Sequence, residues 1–140
     1  MRAVVQRVEH ASVLVEGETL SVIASGLLVL LGVGHDDDEA RADRMADKLL
    51  ALRIFEDDEG KMNLSVREVD GELLCVPNFT VYGDARKGNR PSFVQAAPPE
   101  RAEELYKRVK ERLGAQGGEF GAHMKVELIN DGPVTLIVEV

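Results

Sequence analysis

A series of short apolar stretches, interrupted by glycine, is the feature that most limits how this chain can fold. The most apolar stretch, Leu27–Val33, lies between Gly26 and Gly34. It is far shorter than the roughly 18 residues of a membrane-spanning helix, so it is predicted to be a buried strand. Similar stretches predict further strands at Arg2–Val8, Ser12–Val15, Leu20–Ile23, Arg53–Phe55 and Leu73–Val76, the last ending at Pro77. The strands in the first third of the chain are short and close together, and such strands usually pair antiparallel, whereas Leu73–Val76 is predicted to be a central strand.

Two other segments have the spacing of amphipathic helices. The first follows Asp37 or Asp38, either of which can cap a helix. Its apolar stripe is Ala42, Met45, Ala46, Leu49 and Leu50. The second follows Pro98-Pro99 and ends at Gly114, with its stripe at Ala102, Leu105, Val109 and Leu113. The predicted fold class is therefore α+β: a compact, mainly antiparallel sheet or barrel with two packed α-helices, in a single domain over residues 1–140.

The last apolar segments lie on either side of a turn-like sequence. Val126–Ile129 and Val134–Val138 alternate apolar and polar residues around Asn130-Asp131-Gly132-Pro133. Alternation around such a sequence predicts a hairpin or a tight strand-to-strand connection.

The charge balance limits the partners of the chain. Lys and Arg number 17 against 25 Asp and Glu, a net charge of −8, and such a surface repels a phosphate backbone. Any contact with RNA is therefore expected to be local. The single cysteine excludes an intrachain disulfide, and the three histidines lack the spacing of a zinc site, so metal catalysis is not expected. Charges near the N-terminus interrupt what would be the apolar region of a signal peptide, which predicts a cytoplasmic protein without a membrane segment.

No nucleophile elbow, P-loop or dinucleotide-binding motif is present. Cys75 lies in an apolar strand, where a thiol is usually inert, and His123 is either an exposed residue or a general base.

Two segments are stronger candidates for a functional site. Pro77–Asp84 places amide, aromatic and hydroxyl groups after a buried strand, although the pattern alone favours a bulged strand with Phe79 in the core. Gly132-Pro133 is the second, and there the pattern alone favours an ordinary turn.

At these two segments the sequence strongly resembles the D-aminoacyl-tRNA deacylase family, formerly called D-tyrosyl-tRNA deacylases. The resemblance covers essentially the whole chain. Its motifs are Met1–Val8, Gly26–Val33, Leu52–Asp57, Gly60–Leu64, Asp84–Phe93, Phe120–Ala122 and Asn130–Thr135. It implies a homodimer with active sites at the subunit interface and no metal or cofactor. It also implies hydrolysis of the ester that joins a D-amino acid, or glycine mischarged on tRNA-Ala, to the tRNA 3′ end.

The resemblance assigns chiral selection to Gly132-Pro133. In the family, a Gly-Pro dipeptide with a cis bond reaches into the partner subunit's active site, where its carbonyls test the chirality of the amino acid. Rigid carbonyls would clash with an L side chain and spare a D side chain. An arginine near the N-terminus supports this loop in the family, and Arg7 matches that arginine.

The second family motif, Ser-Gln-Phe-Thr-Leu, is altered here to Pro77-Asn78-Phe79-Thr80-Val81. The resemblance implies that the backbone N–H groups of Phe79 and Thr80 hold the ester carbonyl, each contributing about 2.7–4 kcal/mol, while the 2′-hydroxyl of the RNA assists. Asn78 is the third expected catalytic residue, and Pro77 supports it. The two altered positions leave two alternatives: the same fold acting on a mischarged L-amino acid such as L-alanine, or a tRNA-end binding module without turnover.

The remaining expected site residues would contact the tRNA. Arg86, Lys87 and Arg90 form either a local basic patch or a solvated loop. If only the acceptor end enters the site, few phosphates are touched, and the salt dependence of binding is expected to be modest. Phe120 and Met124 either line a pocket for the terminal adenine or pack in the core.

Overall fold

The computed structural model describes residues 1–140. In chain order, its strands are β1 (Arg2–Val15), β2 (Glu18–Ile23), β3 (Gly26–Gly32), β4 (Phe55–Glu56), β5 (Met62–Leu64), β6 (Glu72–Pro77), β7 (Gln116–Gly117) and β8 (Lys125–Glu139). The helices are α1 (Glu39–Ala51) and α2 (Pro99–Leu113), and a single 3-10 turn covers Phe79–Tyr82.

Strand β1 is the centre of the main sheet. It pairs antiparallel with β2 and β3 on one side and with β8 on the other, whereas β6 runs parallel to β3 and β7 parallel to β6. The two outer strands approach each other, since the Ser21 hydroxyl of β2 donates to the Gly117 carbonyl of β7 at 2.6 Å. The sheet is therefore nearly closed, and the predicted α+β class with a mainly antiparallel sheet is confirmed.

The hairpin prediction for the C-terminal segments is wrong. Both halves of β8 pair with β1, because β1 is one strand of 14 residues, not the two strands that its sequence predicts. The chain keeps its direction through Gly132-Pro133, and the register jumps from the pair Val8–Asn130 to the pair Gln6–Thr135. A long partner strand thus turns the predicted reversal into a bulge.

Two smaller differences concern short strands. The strand predicted at Arg53–Phe55 is observed at Phe55–Glu56 and pairs with Met62–Leu64. Strand β7, which has only two residues, was not predicted. Strands this short carry too little pattern to be recognised before their partners are known.

The two faces of the sheet bury separate apolar clusters. Alternate residues of β3 point to opposite faces, so Leu27, Val29 and Leu31 meet the helices while Leu28 lies in the second cluster with Leu74 and Val76. A strand buried on both faces needs apolar residues throughout, which explains the uninterrupted stretch in the sequence.

Both helices lie on one face of the sheet. Asp38 caps α1 by accepting a hydrogen bond from the Arg41 N–H at 2.8 Å, and α2 ends at Gly114 in the left-handed conformation, with φ 64°. Three arginine–carboxylate pairs join the outer surfaces of the helices: Arg101–Glu39, Arg108–Asp43 and Arg112–Asp47. Neither helix is long and apolar enough to cross a membrane.

Candidate functional site

The candidate site begins where β6 leaves the sheet. Pro77 pairs in register with Leu31 and is the last residue of β6, as its missing N–H predicts. The next N–H, that of Asn78, still donates to the Leu31 carbonyl at 2.8 Å. The backbone then turns out of the sheet plane into the 3-10 turn Phe79–Tyr82.

An apolar cavity of about 530 Å³ opens beside this turn. Its walls come from the ends of β3 and β6, the first turns of α2, the segment before α2 and the loop after β7. The side chains that define it are Leu31, Val33, Phe79, Phe93, Tyr106 and Phe120. Its size and its apolar lining suit a flat, mostly uncharged ligand group.

Phe79 lies at the mouth of this cavity. The residue is 58% exposed, so the interpretation that places Phe79 in the core is wrong. The 3-10 turn carries the residue off the sheet before its ring reaches the core. There the ring packs edge-to-face against Phe93, with the centroids 5.1 Å apart.

The side chains of Asn78 and Thr80 bond to each other. The Thr80 hydroxyl donates to Asn78 Oδ1 at 2.6 Å. An amide oxygen is not a base at neutral pH, so this contact does not activate the hydroxyl as a nucleophile. The Asn78 side chain does not cap the turn, and the first N–H groups of a helical turn have no acceptor within it. The site therefore presents the backbone N–H groups of Phe79 and Thr80.

Phe120 and Met124 both pack on the core and line a cavity. Phe120 lies on the wall of the apolar cavity with its ring 6.3 Å from that of Tyr106. Met124 lines a smaller neighbouring cavity of about 280 Å³, which shares Asn78 and Phe79 with the first and also includes the exposed His123. From the sequence, lining a cavity and packing on the core are alternatives for Phe120 and Met124, but in the structure each side chain does both.

The bulge of β8 does not contribute to either of these cavities. We call residues Asp131–Val134 the proline loop; its Gly132-Pro133 bond is cis, and both of these residues are exposed. Neither residue lines the two cavities around Asn78. The buried Arg7 holds the loop by donating from Nε to the Asp131 carbonyl at 3.0 Å and from Nη1 to the Ile54 carbonyl at 2.8 Å.

The three expected tRNA-binding cations lie on an exposed loop. Arg86 makes two hydrogen bonds to the Asp84 carboxylate, at 2.9 and 2.7 Å. That pairing lowers the pKa of Asp84 to about 2, so Arg86 already has an ionised carboxylate as its partner. Lys87 and Arg90 are exposed, and they supply most of the positive charge that the loop can offer a phosphate.

With this geometry in place, comparison with known proteins identifies the family. The profile of the family described as "D-Tyr-tRNA(Tyr) deacylase" matches residues 4–139. The chain belongs to the D-aminoacyl-tRNA deacylase family. The D-aminoacyl-tRNA deacylase of Desulfatibacillum aliphaticivorans is 58% identical, with 99% of each chain covered. That of Thermotoga petrophila is 54% identical, covering 99% of this chain and 97% of the relative.

Two solved structures share the fold of this chain. One described as c-Myc DNA Unwinding Element Binding Protein superimposes with a TM-score of 0.95 at 44% identity, covering 100% of this chain and 99% of the other. A second, of a probable eukaryotic D-amino acid tRNA deacylase, has a TM-score of 0.84 at 18% identity, covering 99% of this chain and 98% of the other. The second likeness concerns the fold alone.

Cys75 behaves in this deacylase as its sequence predicts. It is fully buried, and burial raises the pKa of its thiol to about 12. The interpretation of Cys75 as an inert core residue is therefore confirmed, because a thiol nucleophile must ionise near neutral pH.

Three further residues organise the site, and the sequence analysis gave none of them a role. Phe93 supports Phe79, and the Tyr106 hydroxyl donates to the Cys75 carbonyl at 2.8 Å while accepting from the Gly118 N–H at 3.2 Å. Asn130 bonds to the backbone of the proline loop. Tyr106 could have been found, since it follows the stripe residue Ala102 by one helical turn. The other two depend on contacts distant in sequence or on the bulge.

Proposed function

We propose that this deacylase binds the charged 3′ end of tRNA at the apolar cavity and cleaves the ester beside the turn Phe79–Tyr82. Family membership makes the chain a hydrolase that acts on D-aminoacyl-tRNA. The observation that carries the proposed location is the presence of backbone donors at the mouth of a cavity lined by aromatic and aliphatic side chains. The terminal adenine suits that cavity, since aromatic faces stack on bases.

In the proposed reaction, water attacks the ester carbonyl and the backbone N–H groups of Phe79 and Thr80 hold the oxyanion. Two such donors, fixed before the reaction, can each lower the activation barrier by about 2.7–4 kcal/mol. The 2′-hydroxyl of the RNA assists, and the ribose 3′-oxygen leaves with a proton. The products are a free D-amino acid and tRNA. Backbone donors also fit the altered motif, because replacing Ser-Gln with Pro77-Asn78 removes neither N–H group.

Chiral selection requires a second chain in this proposal. The proline loop lies outside the cavities of its own chain, so its carbonyls would reach the ester of a partner subunit in a homodimer. Exposed isoleucines flank the loop on the same strand, with Ile129 48% and Ile137 71% exposed. A dimer interface would cover such apolar side chains.

Four substrates test the proposed reaction: D-tyrosyl-, glycyl-, L-tyrosyl- and L-alanyl-tRNA, each incubated with the purified protein and a chelator. We expect cleavage of the D-tyrosyl and glycyl esters, with glycyl-tRNA-Ala as the mischarged form, and none of the L-tyrosyl ester. Cleavage of L-alanyl-tRNA would mean that specificity has shifted. No cleavage, with binding retained, would instead support a tRNA-end binding module.

L-Alanyl-tRNA is among the four substrates because Pro77 departs from the family motif, which leaves a shifted specificity as an alternative. Pro77 lines both cavities around Asn78, so a proline ring in place of serine changes the shape of the wall that they share. Changing the motif to the family form with Pro77→Ser and Asn78→Gln should leave the substrate order unchanged. A change of order would favour the L-amino-acid alternative.

Oligomeric state is tested separately by sedimentation at micromolar concentration. A dimer is expected. A monomer that still rejects the L-tyrosyl ester would overturn the cross-subunit arrangement.

A further inference from the structure

The bulge in β8 leaves backbone groups without a strand partner. Pairing with β1 stops at Val8–Asn130 and resumes at Gln6–Thr135, so the four residues of the proline loop have no counterpart on β1. Val134 is nevertheless only 7% exposed. A peptide group in such a position needs another partner, because an unsatisfied buried N–H or carbonyl costs about 1–3 kcal/mol.

The Asn130 side chain supplies that partner. Its Oδ1 accepts from the Val134 N–H at 2.7 Å, and its Nδ2 donates to the Val134 carbonyl at 3.2 Å. Nδ2 also donates to Thr135 Oγ1 at 3.1 Å. The side-chain amide thus makes the two-point contact that a neighbouring strand would make, and it closes a loop over Asp131, Gly132 and Pro133.

Two different groups hold the two ends of this loop. The Arg7 guanidinium holds its first carbonyl, that of Asp131, at 3.0 Å, and Asn130 holds both polar groups of Val134 at the other end. Gly132 lies between them with φ 143°, and a Cβ there would come within 2.8 Å of the Val134 nitrogen. The orientation of Gly132 and Pro133 is therefore linked to the position of Val134.

We propose that Asn130 is a positioning residue for chiral selection: its amide closes the proline loop and keeps the Gly132-Pro133 carbonyls in the direction that excludes an L-amino acid. The inference rests on the proposed role of this loop. Asn130 touches neither substrate nor the reacting ester, and it acts only through the loop.

The test is Asn130→Asp, which keeps the side-chain shape and the oxygen that accepts from the Val134 N–H. It removes the two N–H donors of the amide and places a carboxylate oxygen next to the Val134 carbonyl, which repels it. The readout is the ratio of kcat/KM for D-tyrosyl-tRNA to that for L-tyrosyl-tRNA. We expect it to fall by at least about tenfold, mainly through faster L-tyrosyl cleavage, which corresponds to the net worth of one hydrogen bond. The matched control is Gln116→Glu, the same amide-to-carboxylate change in β7, where Oε1 accepts from the Val22 N–H; its ratio should match the wild type.

Thr135→Val is a milder second variant, since it removes the hydroxyl that accepts from Asn130 at 3.1 Å and, at a longer 3.4 Å, from Gln6 Nε2. It should lower the ratio in the same direction by a smaller factor, and it keeps the test open if Asn130→Asp does not fold. An unchanged ratio in folded Asn130→Asp, or in Thr135→Val if the first does not fold, would overturn the positioning role.

Gly132→Ala separates this inference from the proposed function. If Gly132→Ala changes the ratio and folded Asn130→Asp does not, the loop selects chirality without Asn130 and the inference fails alone. If none of these variants changes the ratio, the loop does not select chirality, and both fail.

Discussion

The turn Phe79–Tyr82 and the proline loop are both short departures from a strand, but they are held in different ways. The turn keeps its first backbone N–H groups uncapped, and its first residue, Phe79, is 58% exposed. The loop is held at one end by a buried guanidinium and at the other by an amide. Donors that bind a developing charge must be free to bond, whereas carbonyls that exclude an enantiomer must not move. The difference between the regions therefore matches the two tasks proposed for them.

The largest effect is expected from Gly132→Ala, which breaks the rigid side of this comparison. The added Cβ would lie 2.7 Å from Val134 Cγ2 and 2.8 Å from the Val134 nitrogen, so the loop must shift. We expect the D-to-L ratio of kcat/KM to fall at least about a hundredfold, since a shift near 1 Å at a site has effects of that size. The control is Gly60→Ala, where φ is +76° and no atom lies within 4 Å. A D-to-L ratio equal to that of the control would mean that chiral selection does not depend on the shape of the proline loop.

Thr80→Ala tests whether the turn acts through its backbone. The substitution removes the hydroxyl that donates to Asn78 Oδ1 but keeps the N–H, so kcat/KM for D-tyrosyl-tRNA should fall by no more than about tenfold. A loss above about a thousandfold, roughly 4 kcal/mol in the barrier, would make Thr80 the nucleophile.

Acid separates the arginine–carboxylate pairs of the helix surface from the hydrogen bonds that hold the proline loop. The hydrogen bond from Arg101 lowers the pKa of Glu39 from 4.5 to about 2, and Arg108 and Arg112 lower the pKa of Asp43 and Asp47. Carboxyls with lowered folded-state pKa values stabilise the fold above their unfolded pKa, and this stabilisation is lost as the pH falls through the folded pKa. The free energy of unfolding should therefore decline between about pH 4.5 and about pH 2.

The effect of acid should be modest, because these pairs are exposed and solvent screens them. The D-to-L ratio should change little until the chain unfolds, since the hydrogen bonds of Arg7 and Asn130 go to backbone and hydroxyl groups, while the ion pair between Arg7 and the exposed Asp131 is long, at 3.9 Å. Denaturant unfolding at several pH values measures the first effect, and Glu39→Gln should flatten part of the decline. A D-to-L ratio that follows the acid transition would show that the helix pairs support the loop as well.

The smallest effect concerns salt and the loop that follows the turn. Arg86 is paired with Asp84, which leaves Lys87 and Arg90 for phosphate contacts. With about two such contacts, the plot of log affinity against log salt should have a slope of magnitude below about 3. Binding of tRNA that carries no amino acid, titrated over a range of salt concentrations, measures this slope. Lys87→Ala should reduce the magnitude of the slope by the share of about one phosphate contact. A slope near that of ten phosphate contacts would require a far larger tRNA interface.

Much of the fold could be predicted because its signals are local. The helical stripe at Ala102, Leu105 and Val109, and the end of α2 at Gly114, follow from spacing and backbone preference. The end of β6 at Pro77 follows from the missing N–H. The resemblance to the family likewise depends on residues adjacent in the chain, and it singled out both the turn and the proline loop before their geometry was known.

The sequence by itself thus determined the two helices, the apolar stretches that become most of the strands, the inert Cys75 and the family. Only the tertiary structure decided that β8 continues through Gly132-Pro133, that Phe79 faces a cavity, and that Asn130 takes the place of a strand partner. Each of these outcomes depends on register against a distant strand or on where the chain leaves the sheet. Residues far apart in sequence set both of these: the apolar and polar pattern of one segment indicates which of its faces is buried, but it does not identify the strand with which the segment pairs.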